Sequence, residues 1–180
     1  SISVAKGGGL IDWYINNQEN ADGELSVEEA GKKAQEYIKP LELGDMKVVW
    51  AAEYGNTIVL NMTPVINDTI IYPDMIKIKL AKDTGALMGF DGREYIINHT
   101  NRDIKAPAHD KSEAEKKVFS ELEIQNTQLC LAPIGNQEIL CWEFFGTYNN
   151  QRFIVYIDAN TLEEVNVMRI ISTDSGDLVV

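Results

Sequence analysis

Apolar and polar residues alternate along much of the chain. Ile76, Ile78 and Leu80 are separated by Lys77 and Lys79, and Phe153, Val155 and Ile157 follow the same rhythm. A period of two is that of a strand with one buried face. On this basis strands are expected over residues 46–53, 57–65, 69–72, 75–81 and 86–90, and again over 127–132, 138–147, 152–158 and 165–171. Helical spacing occurs twice. Val27, Ala30, Ala34, Tyr37 and Ile38 form one apolar stripe that Pro40 closes, and Ala114, Val118 and Leu122 form a shorter one. Helices of this length are marginal alone, so each must lay its stripe on a sheet. A helix followed by hairpin-connected strands, twice over, predicts an α+β protein of tandem modules, each a short helix packed on an antiparallel β-sheet.

The two sets are copies of one template. Residues 76–85 align without a gap on residues 153–162, apolar position on apolar position. Asp83-Thr84-Gly85 and Asn160-Thr161 supply turn chemistry, since Asp or Asn bonds its own backbone two residues on and Gly accepts a left-handed conformation. Upstream, Ser26 with Glu29 and Ser112 with Glu115 read as capping boxes. A partial copy opens the chain, with Ser3-Val4-Ala5 and Ile11-Asp12-Trp13 as strands around a turn at Gly7-Gly8-Gly9. The expected organisation is a closing hairpin of a preceding partial module over 1–23, then modules over 24–104 and 105–180, with linkers at 16–23 and 101–110. Because the chain opens on Ser1 with a strand already under way, it is read as a piece of a longer protein whose targeting segment lies upstream.

A hydrophobic share of 44% with 24% charged residues provides for a packed core. The net charge of −12 opposes phosphate backbones, so nucleic acid is not an expected partner. No run approaches the roughly 18–20 apolar residues needed to span a bilayer.

Candidate chemistry is sparse. Cys130 and Cys141 fall opposite one another if Gly135-Asn136 is a hairpin turn; that register is an uncomfortable one for a bridge, and two free buried thiols are expected over a disulfide. His99 has Asp103 four residues on, and His109 neighbours Asp110 and Ser112, but caps and turns account for these residues without catalysis. Glu28, Glu29, Glu113 and Glu115 lie in first helical turns, where negative charge favours the helix dipole. Asp83 and Asn160 are read as turn residues rather than cation ligands. Trp50, Trp142, Tyr72 and Phe90 are read as core rather than as stacking platforms. No catalytic residue, metal ligand or cofactor site is assigned.

The Ser-x-x-Glu helix start followed by strands and a closing hairpin resembles the PepSY domain. More specifically, Ile70-Ile71-Tyr72-Pro73-Asp74-Met75, Tyr95-Ile96-Ile97-Asn98-His99-Thr100-Asn101-Arg102 and Gly146-Thr147-Tyr148-Asn149-Asn150 resemble the PepSY region of the YpeB spore-germination family. The resemblance covers nearly the whole chain. It departs at Leu162, which stands where the module has Gly. The resemblance implies a non-catalytic interaction or inhibitory module that regulates and stabilises a spore cortex-lytic enzyme, a glycosidase-type peptidoglycan hydrolase. It also implies a position outside the inner spore membrane, with a membrane anchor beyond this stretch. Direct binding of cortex peptidoglycan is the alternative reading, and a cryptic hydrolase the third.

Overall fold

The computed structural model describes residues 1–6, 10–173 and 176–180, so the turn read at Gly7-Gly8-Gly9 lies outside the described residues. The chain forms two compact units. One comprises Ser1–Val65 and Pro73–Asn101, the other Ile66–Tyr72 and Arg102–Val180. Strand Thr69–Ile71, inside the first sequence repeat, thus packs with the second.

In the first unit, β1 (Ile2–Val4) and β2 (Ile11–Ile15) precede helix α1 (Val27–Ile38), followed by β3 (Met46–Tyr54) and β4 (Thr57–Ile66). Beyond the excursion into the second unit come β6 (Ile76–Ala81), β7 (Leu87–Asp91) and α2 (Arg93–Asn98), β5 being Thr69–Ile71. The strands pair antiparallel in the order β1-β2-β7-β6-β4-β3. The amino-terminal hairpin is therefore part of this sheet. Helix α1 starts on the expected box: Ser26 Oγ accepts from the Glu29 N–H at 3.3 Å, and Glu29 Oε2 accepts from the Ser26 N–H at 3.0 Å. Its face carries Ala30 and Ala34, both at 0% exposure, which let the helix approach Ile58, Leu60, Met62, Ile78 and Leu80 closely. Helix α2 was not expected. Its N-cap is Gly92, which has no side chain to cap with, so no start signal marks it.

The second unit contains β5, helix α3 (Lys111–Glu115), β8 (Glu123–Ile134), β9 (Gln137–Tyr148), β10 (Gln151–Asp158), β11 (Glu164–Thr173) and β12 (Gly176–Val179). The order is β5-β8-β9-β10-β11-β12. One pair departs from the expected antiparallel pattern, because β5 lies parallel to β8, with Ile70 opposite Cys130. A long intervening stretch joins these strands, so no hairpin constrains their sense. Gly135 adopts φ +61 at the β8–β9 turn, and Cys130 faces Cys141 in the expected register. Ala114, Val118 and Leu122 pack on Phe144, Val155 and Ile157.

The second helix start needs correction. Its box is formed by Asp110 and Glu113, not by Ser112 and Glu115: Asp110 Oδ1 accepts from the Glu113 N–H at 2.9 Å, and Glu113 Oε2 accepts from the Asp110 N–H at 3.1 Å. Ser112 falls inside the helix and Glu115 at its end. The His109 N–H is held by the Ala159 carbonyl, so the extended lead-in stops just before Asp110 and the helix begins there. It spans five residues and ends in turns, although Val118 and Leu122 remain buried.

Candidate functional site

The turn residues singled out by the repeat have a second role. In both turns the backbone closes identically, Gly85 N–H onto Ala81 O and Leu162 N–H onto Asp158 O, each at 2.9 Å. Gly85 (φ +70) and Leu162 (φ +63) are both left-handed, so Leu162 bears strain of about 1–2 kcal/mol that Gly85 avoids. Leu162 also packs against the second core, which offsets part of that cost. Asp83 Oδ2 accepts from the Ala21 N–H at 3.0 Å, and Asn160 Oδ1 accepts from the Ala108 N–H at 3.3 Å. Each turn therefore ties down the lead-in to its own unit's helix. The hydrogen bond from Ala21 is also the main reason the Asp83 carboxyl sits below its ordinary range. Gly23 completes the first tie, since a Cβ there would stand 2.2 Å from the Lys82–Asp83 backbone. Residues 16–23 and 101–110 have no helix or strand, yet both are fixed in this way.

The histidines have found other partners than sequence neighbours indicate. His99 Nδ1 lies 2.6 Å from Asp74 Oδ2, not on Asp103, and its ring stacks on Tyr95 at 4.4 Å. Asp74 is at 0% exposure while the His99 side chain is 44% exposed. A buried carboxylate orienting a solvent-facing imidazole is half of a general-base arrangement. His109 lies 3.3 Å from Glu113 Oε2, within the cap, and its carbonyl accepts from Trp142 Nε1 at 2.9 Å. Among the described residues no three His, Cys, Asp or Glu side chains converge as metal ligands.

Sequence reading missed a buried polar set in the second unit. Glu143, 5% exposed, accepts from Gln128 Nε2 at 2.7 Å, and the same amide donates to the Tyr72 hydroxyl at 3.2 Å. Burial, reinforced by the neighbouring Glu143, pushes the Tyr72 and Tyr156 hydroxyls well above their ordinary range. Cys130 and Cys141, both free and at 0% exposure, lie beside this set. Burial raises the Cys130 thiol strongly and pushes Cys141 up to about 12, so both are held in the unreactive thiol form. Glu143 shares the parity of Cys141 on β9, the face opposite Phe144 and the helix-covered core, so β9 is buried on both faces and alternation alone does not single it out. Among the aromatics read as core, Phe90 is buried, Trp142 packs at the second core's margin, and Trp50 is half-buried opposite Asn61.

A short helix pinned to a hairpin-rich sheet, repeated, with its conspicuous polar residues engaged in caps, ties and buried pairs, is the form of a PepSY-type α+β protein. The family model for YpeB sporulation, PepSY1 and PepSY2 domains, matches residues 1–105, and the chain belongs to this family. It is 31% identical over 173 residues to the sporulation protein YpeB of Bacillus subtilis, covering 94% of this chain and 38% of that protein. It is 29% identical over 167 residues to the sporulation protein YpeB of Halalkalibacterium halodurans, covering 92% and 37%. The solved Bacillus megaterium YpeB C-terminal domain superposes with a TM-score of 0.81 at 26% identity, over 93% of this chain and 75% of that one. The chain thus spans well under half the length of the curated relatives it matches. No helix among the described residues is long and apolar enough to cross a membrane.

Proposed function

We propose that this chain is a non-catalytic regulatory module of spore germination that binds a spore cortex-lytic peptidoglycan hydrolase of the glycosidase type, stabilises it and restrains it until germination. Its place in this reading is the outer face of the inner spore membrane. Membership of the YpeB sporulation family carries the proposal. The engagement of His99 by Asp74, of His109 by Glu113 and of the aligned turn residues by helix lead-ins supports it, because the groups available for chemistry have structural employment. A docking edge exists in the first unit. Among the described residues β1 pairs only with β2, and it exposes Ile2 and Val4 at 59% and 51%. An added strand there would gain main-chain hydrogen bonds and cover both side chains. The test is to mix the folded 180-residue chain with the purified cortex-lytic enzyme. A complex with slowed cortex hydrolysis is expected, and neither effect with both proteins folded overturns the proposal.

A further inference from the structure

The first unit carries a groove of about 310 Å³ on the sheet face opposite its core, near the lower end of small-molecule sites. Two cross-strand rows build it. Trp13, Asp91 and Lys77 stand opposite one another on β2, β7 and β6, and Ile15, Gly89 and Lys79 form the next row. The intervening residues of the same strands face the other way, since Phe90 and Ile78 belong to the core and Tyr14 packs against it. Gly89 leaves the floor open between an apolar wall, the half-buried Trp13 and the exposed Ile15, and a cationic wall, the exposed Lys77 and Lys79. Arg93 closes one end and grips Asp91 with two hydrogen bonds of 2.8 and 2.5 Å. That grip is the chief reason the Asp91 carboxyl sits below its ordinary range.

We infer that this groove binds a sugar ring carrying a carboxylate, as in an acidic amino-sugar glycan. Three features select that ligand. The groove's lysines and arginine outnumber its one carboxylate in a chain of net charge −12, so an anion is favoured there against the protein's overall field. Trp13 and Ile15 offer an apolar wall to the C–H face of a ring, while the fixed Asp91–Arg93 pair presents both acceptors and donors to hydroxyls. β2, β7 and β6 are each paired on both sides, so their backbones have no free ladder to offer an extended peptide. The inference goes beyond the inhibitory reading and does not depend on it.

The test is a titration of the 180-residue chain with N-acetylglucosaminyl-N-acetylmuramic acid, followed by amide NMR shifts. Neutral chitobiose and poly-glutamate serve as comparison ligands. Shifts confined to Trp13, Lys77, Gly89 and their strand neighbours are expected, with the acidic disaccharide binding at least about tenfold more tightly than chitobiose. Gly89→Val puts a branched side chain on the floor, where its Cβ meets nothing nearer than the Lys79 Cβ at 3.4 Å, and it should abolish the shifts. The double variant Lys77→Glu, Lys79→Glu should weaken binding by about tenfold or more while the folded spectrum persists. No shifts with the disaccharide, equal binding of chitobiose, tighter binding of poly-glutamate, or undiminished binding by folded Gly89→Val would each overturn the inference. Inhibition of the hydrolase, measured on the same variants, separates failure of this site from failure of the inhibitory reading.

Discussion

The two units solve one problem with different emphasis. Each pins the lead-in to its helix with a turn residue at the same repeat position, Asp83 in one and Asn160 in the other. Beyond that tie they diverge. The first unit has a helix of 12 residues and a left-handed Gly85; the second has a helix of five residues and a left-handed Leu162. Among the described residues each also buries a carboxyl, but Asp74 meets an imidazole at the surface whereas Glu143 meets an amide and sits between tyrosines. The shared element is the tie between hairpin and lead-in. Helix length is free to vary, because the buried positions Ala114, Val118 and Leu122 can be supplied by turns as well as by helix.

The strongest way to break the comparison is to remove the buried acids. Glu143→Ala leaves the Gln128 amide without its carboxyl acceptor, and Asp74→Ala does the same to His99. Each should lower the unfolding free energy by about 2–4 kcal/mol in urea titrations. Similar losses would make the two acids structural equals despite their different partners; a loss under about 1 kcal/mol at either would separate them. The turns give the next effect. Gly85→Ala should cost about 1–2 kcal/mol through its positive φ. At the aligned position Leu162→Ala should be more destabilising than Leu162→Gly by about 1 kcal/mol, because Ala retains the strain and loses the packing. The reverse order would show that the two turns differ in backbone energy. Caps give the smallest effect. Ser26→Ala and Asp110→Ala should each cost about 1 kcal/mol, and Ser112→Ala should stay within about 0.5 kcal/mol, read from shifts in thermal midpoint.

Local order was legible and long-range pairing was not. The strands of both units apart from β12 could be read from alternation, and the Cys130–Cys141 register followed from one turn at Gly135-Asn136. The cap of α3 was misread because Asp110-x-x-Glu113 and Ser112-x-x-Glu115 satisfy the same pattern. What favours the first is the fixing of residues 108–109 by Asn160, Ala159 and Trp142, all distant in sequence. The parallel seat of β5 was beyond reach, since three residues, Thr69, Ile70 and Ile71, carry no pattern that selects a partner. His99 and Asp74 meet across 25 positions, and the rows around Gly89 exist only once β2 is placed beside β7. Such sites are made by register, which a single sequence does not spell out.

The seat of β5 has a consequence for how such a protein can be taken apart. A protease cutting between residues 101 and 110 would leave Thr69–Ile71 on the amino-terminal fragment, although that strand completes the carboxy-terminal unit's sheet. The severed piece would depart with an open edge at β8, exposing the ladder that Ile70 had covered. Gene fusion or recombination at that boundary would inherit the same defect. One nick therefore does not yield two finished parts: what lies beyond it is an acceptor still missing its donor strand.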